Sequence, residues 1–115
     1  MKYESYNFQS KEEVNELLSS NNNDEIISAL VGAINGIEDR VFLEDICCRF
    51  VNHEDFWVSK TAISSLGDIA RIYKFIDLEK IIPILQKNKR ENLKPVIDEV
   101  ISDIKIFTKG NSYEC

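Results

Sequence analysis

The stretch HEDFWVSKTAISSLGDI, residues 53–69, decides the fold of this chain. Its apolar residues recur every three or four positions: Val58, Ala62, Ile63, Leu66 and Ile69. That spacing places them on one face of an α-helix. Gly67 lies within the same predicted helix, where glycine costs about 1 kcal/mol relative to alanine. We expect close packing of a neighbouring helix to account for this glycine.

The same apolar pattern recurs on both sides of residues 53–69. At an offset of 32 it matches Ile26, Leu30, Val31, Ile34 and Ile37, and at an offset of 38 it matches Val96, Val100, Ile101, Ile104 and Phe107. Each of these segments follows another apolar-periodic segment. Self-similarity at 30–40 residues with two helices per unit is typical of α-solenoids. The sequence predicts helical hairpins at about 10–37, 39–71 and 77–108, preceded by an arm at 1–9 and followed by a frayed tail at 110–115.

Capping residues support these boundaries. Ser10 followed by Glu13 is a capping-box pattern. The side chains expected to cap the later helices are Asp24, Asp55, Asp77 and Asn92. Pro95 then falls in the first turn of the last helix, where it removes no helical hydrogen bond. No alternating β-branched run is present, so we expect no sheet.

Residues 53–69 resemble the second helix of a HEAT repeat. The period, the paired helices and a proline inside the predicted fifth helix, Pro83, are also similar to that family. The basic residue that usually follows the valine is replaced here by Ser59, so the inter-repeat ionic ladder of longer arrays is not expected. The resemblance implies an all-α fold, a short right-handed α-solenoid of about three HEAT-like hairpins forming one domain over residues 1–115.

The charge of the chain is unevenly distributed. Its 115 residues carry a net charge of −6. Residues 1–57 hold twelve acids and four bases, a net −8, whereas residues 58–115 hold eight acids and ten bases, a net +2. An acidic surface disfavours nucleic acid and favours a basic protein partner. No apolar run approaches the ~18 residues of a membrane span and no signal peptide opens the chain, so we expect a cytoplasmic protein that does not bind membranes.

The acids cluster at predicted turns, and two aromatic residues follow the last cluster. The candidate partner-binding residues are Asp24, Glu25, Glu38, Asp39, Glu54, Asp55, Phe56 and Trp57. If equivalent turns stack along one edge, the acids form a single ridge. The alternative is that acids near helix N-termini only complement the helix macrodipole. One of the two aromatic side chains is expected to pack beneath the turn and the other to be an exposed anchor.

Residues suited to catalysis or metal binding are few. His53 is the only histidine, and together with Cys48 it provides neither a convincing nucleophile pair nor the four ligands of a structural zinc site. Cys47 is expected in the core, and Cys48 and Cys115 are expected to be free thiols. The basic run at Lys87, Lys89 and Arg90 is expected to be solvated rather than bound to phosphates. We therefore expect no enzyme activity, no cofactor, no metal and no small-molecule substrate.

Small acidic HEAT-like proteins of about three hairpins resemble bacterial immunity proteins, including those of contact-dependent growth inhibition. That resemblance implies a 1:1 complex in which the acidic face covers the basic active-site cleft of a cognate toxin, a nuclease in the first instance. One alternative is a HEAT-like adaptor that binds a peptide or helix in its groove. A nucleic-acid-binding enzyme would need a basic groove, and it ranks last because only the last hairpin offers one.

Overall fold

The computed structural model describes residues 10–108, and the predicted arm and the tail from residue 110 lie outside this range. The described residues form six α-helices and no strand, which confirms the all-α class. The helices are α1 (Lys11–Leu18), α2 (Asn23–Gly36), α3 (Arg40–Phe50), α4 (Phe56–Tyr73), α5 (Leu78–Lys87) and α6 (Lys94–Phe107), the last preceded by a 3₁₀ turn at Glu91–Leu93. These bounds lie within two residues of the three predicted helix pairs.

Side-chain caps begin most of the helices. Ser10 Oγ accepts a hydrogen bond from the Glu13 N–H at 3.2 Å, and Asp55 and Asp77 cap α4 and α5 in the same way. Two predicted caps are wrong. The α2 cap is Asn22, whose Oδ1 accepts from the N–H groups of residues 24 and 25, so Asp24 lies inside the first turn. Asn92 falls within the 3₁₀ turn, and α6 begins without a side-chain cap.

The apolar stripe of α4 is the centre of the core. Its five predicted members, Val58, Ala62, Ile63, Leu66 and Ile69, have no exposed surface. The matching stripes on α2 and α6 are only partly buried: Leu30 and Ile104 are fully enclosed, whereas Val31 and Val96 are half-buried. This difference arises because α4 is covered from several sides, while α2 and α6 each keep one side open.

Helices α2, α4 and α6 pack side by side and run in the same direction. The Tyr73 hydroxyl donates to the Ile37 carbonyl at 3.5 Å, so the C-terminal ends of α2 and α4 lie together. Lys74 Nζ is 5.3 Å from the Phe107 ring, so α6 finishes at the same end. We call the two ends of this layer the N-end, where the three helices begin, and the C-end, where they finish. Successive turns of the chain alternate between these ends.

Gly67 does not need to be glycine for packing. A Cβ atom built there would lie 3.6 Å from Val100 Cγ2 and 3.9 Å from the Asp103 carboxylate, which are ordinary van der Waals distances. The described glycines also have no positive φ, so the backbone makes no such demand. The expectation that close helix packing accounts for this glycine is therefore wrong.

The first testable prediction concerns this architecture. Far-ultraviolet circular dichroism should show a helical protein without sheet, and the chain should melt in one cooperative transition because α4 joins α2, α3 and α6 in one core. Two separated transitions, or a spectrum dominated by strand, would contradict this packing.

Among residues 10–108, no helix combines the length and the apolar composition that a membrane span requires.

Candidate functional site

A surface groove of about 520 Å³ lies at the N-end between α2 and α4. We call it the α2/α4 groove, and its lining residues are Asn23, Asp24, Ile27, Val31, Asp55, Trp57 and Thr61. Its floor is apolar, formed by the half-buried side chains of Ile27 and Val31. Its rim is acidic on both sides, with Asp24 from the first turn of α2 and Asp55 at the start of α4. Three of the predicted site residues are thus brought together.

The four acids at the N-end, Asp24, Glu25, Glu54 and Asp55, differ in the hydrogen bonds that their carboxylates form. Asp24, Glu25 and Glu54 are exposed, and none takes part in an ion pair among residues 10–108. Asp55 is half-buried, and its Oδ2 accepts the Val58 N–H at 3.0 Å, so its carboxylate is committed to capping α4. Three acids at the N-end are therefore available to a partner, and the fourth shapes the turn.

The remaining predicted pair, Glu38 and Asp39, lies at the C-end. Glu38 follows Asp24 by 14 residues and lies at the opposite end of α2, about 20 Å from Asp24. Asp39 caps α3 through the Phe42 N–H and is 2.5 Å from Lys11 Nζ. The hydrogen bond from Lys11, together with that from Phe42, holds the pKa of Asp39 below its ordinary value. The structure therefore divides the expected single ridge into two separate acidic regions.

The two aromatic residues have different environments. Phe56 is half-buried and packs against the core, whereas the Trp57 side chain is 60% exposed. Their rings meet edge to face with centroids 5.0 Å apart, and Lys60 Nζ lies 5.2 Å from the Trp57 ring. An edge-to-face neighbour and a cation over the ring both restrict the indole. Trp57 is accordingly the exposed aromatic side chain of the groove.

The turn that carries Glu54 and Asp55 is held by hydrogen bonds from α4 and from the α5–α6 connection. The buried Ser59 hydroxyl donates to the Val51 carbonyl, which also accepts from Asn88 Nδ2 at 3.2 Å. Arg90 Nη1 donates to the His53 carbonyl at 2.6 Å. A charged side chain in place of Ser59 would be buried there without a partner, at a large cost in free energy. The acidic turn is fixed before any partner binds.

His53 and the cysteines have structural surroundings. His53 Nδ1 accepts the Asp55 N–H at 3.0 Å, which assigns the proton of the neutral ring to Nε2. Cys47 is fully buried, as predicted, and burial raises the pKa of its thiol far above the ordinary range. Burial raises the pKa of the half-buried Cys48 to about 11. A thiol with that pKa is a weak nucleophile near neutral pH. Cys115 lies outside the described residues.

A second large groove, of about 610 Å³, opens between α5 and α6. It contains the basic residues Lys89, Arg90 and Lys94, but two of them are already engaged. Arg90 binds the 53–54 carbonyls, and Lys94 Nζ is 3.3 Å from Asp98. The acids Glu91 and Asp98 line the same groove. Its charge is therefore mixed, which does not favour a polyanion.

Sequence patterns did not reveal the role of Glu44. This α3 residue is 1% exposed, and its carboxylate accepts from Arg40 at 2.5 Å and from the Asp77 N–H at 3.2 Å. In the sequence, the only indication of a polar contact for Glu44 is Arg40 four positions earlier, a spacing that brings two side chains together on a helix. Because Asp77 is 33 residues away, the tertiary contact could not be found from local spacing.

Among residues 10–108, no group of three or more His, Cys, Asp or Glu side chains is arranged to hold a metal ion. The geometry does bring an exposed tryptophan beside acids on a turn that is held by hydrogen bonds. Comparisons with family models, with curated proteins and with solved structures find no match to this chain.

Proposed function

We propose that this chain is a toxin-neutralising immunity protein, a short right-handed α-solenoid of three HEAT-like hairpins. It binds a basic toxin domain, a nuclease, in a 1:1 complex within the cytoplasm and covers the substrate cleft. The observation that carries the proposal is the α2/α4 groove, in which the exposed Trp57 stands beside Asp24 and Asp55, neither of which forms an ion pair among residues 10–108. Occlusion needs no catalysis, cofactor or metal from the immunity protein.

The composition of the groove suits a tight protein contact. Interface hot spots are enriched in tryptophan set among residues that exclude water. Ile27 and Val31 supply the apolar floor for such a contact, and Trp57 supplies the anchor. Because the 51–55 turn is held by Ser59, Asn88 and Arg90, little conformational freedom is lost on binding.

The free acids at the N-end supply a different property. Asp24, Glu25 and Glu54 are exposed, so they contribute less to affinity than a buried pair would, but they act at a distance on a basic partner. A nuclease cleft that binds phosphates presents the complementary charge. An immunity protein must capture its toxin quickly, and electrostatic steering raises the rate of capture.

An adaptor that binds a helix is the second candidate. It is favoured by the apolar floor of the α2/α4 groove, where Ile27 and Val31 lie one helical turn apart and could receive the apolar face of an amphipathic helix. The two candidates differ in their salt dependence. Binding of an apolar helix should change little between 50 mM and 500 mM salt, whereas capture of a basic toxin should slow markedly.

The direct test is co-expression with the cognate toxin, which the proposal expects to be encoded directly before the gene for this chain. We expect this chain to restore growth of a cell that the toxin arrests, and the purified proteins to elute together as a 1:1 complex. Growth arrest that persists at high expression of this chain, with no complex on the column, would contradict the proposal.

Trp57→Ala should weaken the complex about tenfold by raising the dissociation rate, because the anchor is lost from a preformed groove. Its melting temperature should change little, since the side chain is largely exposed. Ile72→Ala is the matched control: Ile72 is 53% exposed on the same helix but near the C-end. Surface plasmon resonance separates the rates. Equal effects of both substitutions would remove Trp57 from the interface.

A further inference from the structure

A smaller groove lies between α4 and α6. We call it the α4/α6 groove, and its lining residues are Ser64, Gly67, Asp68, Arg71, Val96, Glu99, Val100 and Asp103. Thr61 of the first groove and Ser64 of the second are three positions apart, so they are neighbours on one helix face. Both grooves therefore border the same face of α4.

Gly67 is in the floor of this groove and lowers the stability of α4 without a structural need. Its backbone is ordinary helix, and an alanine Cβ would meet Val100 and Asp103 at ordinary contact distances. Alanine would be the better helix former at this position. What glycine provides is space, because the Cβ it lacks would occupy the floor between α4 and α6.

Two acids of α6 that line the same groove also lower the stability of their helix. Glu99 and Asp103 are four residues apart, so they lie one turn apart on the same face, where like charges repel. Neither takes part in an ion pair among the described residues. Arg71, the cation among the lining residues, is engaged by Asp68 at 2.5 Å. Local preferences that the fold itself does not explain tend to occur at functional positions.

We propose that the α4/α6 groove receives an arginine side chain of the same basic protein partner, an inference that rests on the proposed function. The groove measures about 150 Å³, well below the 300–1,000 Å³ of small-molecule sites and suited to one long side chain. The stem of the arginine packs on the half-buried Val96, above a floor formed by the buried Gly67 and Val100. Its guanidinium bridges the two α6 carboxylates, because the planar fork has several donors whereas a lysine ammonium is a point charge.

The test that does not depend on a toxin uses N-acetyl-argininamide as the probe. In ¹⁵N-resolved NMR titrations, the amides of Ser64, Gly67 and Asp103 should shift together and saturate at millimolar probe. N-acetyl-citrullinamide, which has the same shape without the charge, should leave them unchanged, and N-acetyl-lysinamide should shift them at least threefold less. Shifts spread evenly over the exposed acids of α1, or equal shifts with citrullinamide, would overturn the proposal.

Gly67→Ala separates binding from folding. Its melting temperature should rise by about 4 °C, since alanine favours the helix, while the probe-induced shifts should disappear. In the complex with the toxin, the same variant should bind about tenfold more weakly despite being more stable. If the variant binds argininamide like the wild type, the groove assignment is wrong, whether or not the toxin is neutralised. If the probe binds but no toxin is neutralised, the proposed function fails and the groove assignment stands.

Discussion

Glu44→Ala is expected to lower the free energy of unfolding by about 3 kcal/mol, because it removes one member of a buried ion pair. The carboxylate contacts three groups in two elements: Arg40 on its own helix, the Asp77 N–H at the start of α5, and Lys80 of α5, whose Nζ lies 3.8 Å from it. Of the ten residues of α5 only Ile81 and Leu85 are buried, so this helix depends on such polar contacts. A loss of that size should lower the melting temperature by roughly 10 °C.

Two variants define the origin of the loss. Glu44→Gln keeps the shape and an acceptor for the Asp77 N–H but removes the charge, so it should fall between wild type and alanine. Glu16→Ala removes an exposed acid of α1 and should change stability by less than about 0.5 kcal/mol. Amide hydrogen exchange should accelerate first in the opening turn of α5. If the Glu44→Ala and Glu16→Ala proteins have the same melting temperature, the network around Glu44 does not stabilise the fold.

Lys80 belongs to the same network of charged side chains. Partial burial alone would lower its pKa, but the hydrogen bond to Asp45 and the charges of Asp45 and Glu44 together hold the pKa above its ordinary value. Its cation therefore stays with α3 across the physiological range. Removing Glu44 leaves Asp45 as the carboxylate that binds Lys80, so part of the α3–α5 contact survives and the variant should remain folded.

The core could be predicted because helical spacing alone determines which side chains share a face. Val58, Leu66 and Ile69 needed no knowledge of their neighbours to be placed inside. The caps at Asp55 and Asp77 were equally local. Asn22 was missed because several polar residues in succession can each act as a cap, and the choice depends on the backbone of the turn.

The arrangement of the acidic turns depends on helix direction. Each helix reverses the chain, so the turns near Asp24 and Glu54 lie at one end of the layer and the turn at Glu38 lies at the other. This alternation follows from the predicted hairpins themselves. The sequence alone therefore implies two separate acidic regions rather than one ridge. By contrast, Glu44 takes its role from a tertiary neighbour 33 residues away, which no local pattern specifies.

Reversing the three free acids at the N-end should slow toxin capture by about 10- to 100-fold at low salt. The variant carries Asp24→Lys, Glu25→Lys and Glu54→Lys and retains Asp55, whose carboxylate caps α4. It should remain folded, although lysines in the first turn of α2 oppose the helix macrodipole and cost a few tenths of a kcal/mol each. Stopped-flow association between 20 and 500 mM salt should show a flatter salt dependence than for wild type.

The matched control reverses Glu12, Glu13 and Glu16, three exposed acids of α1. Both variants change the net charge from −6 to zero, and both place two lysines in the first turn of a helix. Steering by overall charge would slow capture equally in the two proteins, whereas steering by the N-end acids slows it far more in the first. If the N-end variant binds as fast as wild type at 20 mM salt, these acids are only a solvated surface. The contact would then have to be sought at the α5–α6 connection around Lys87, Lys89 and Arg90.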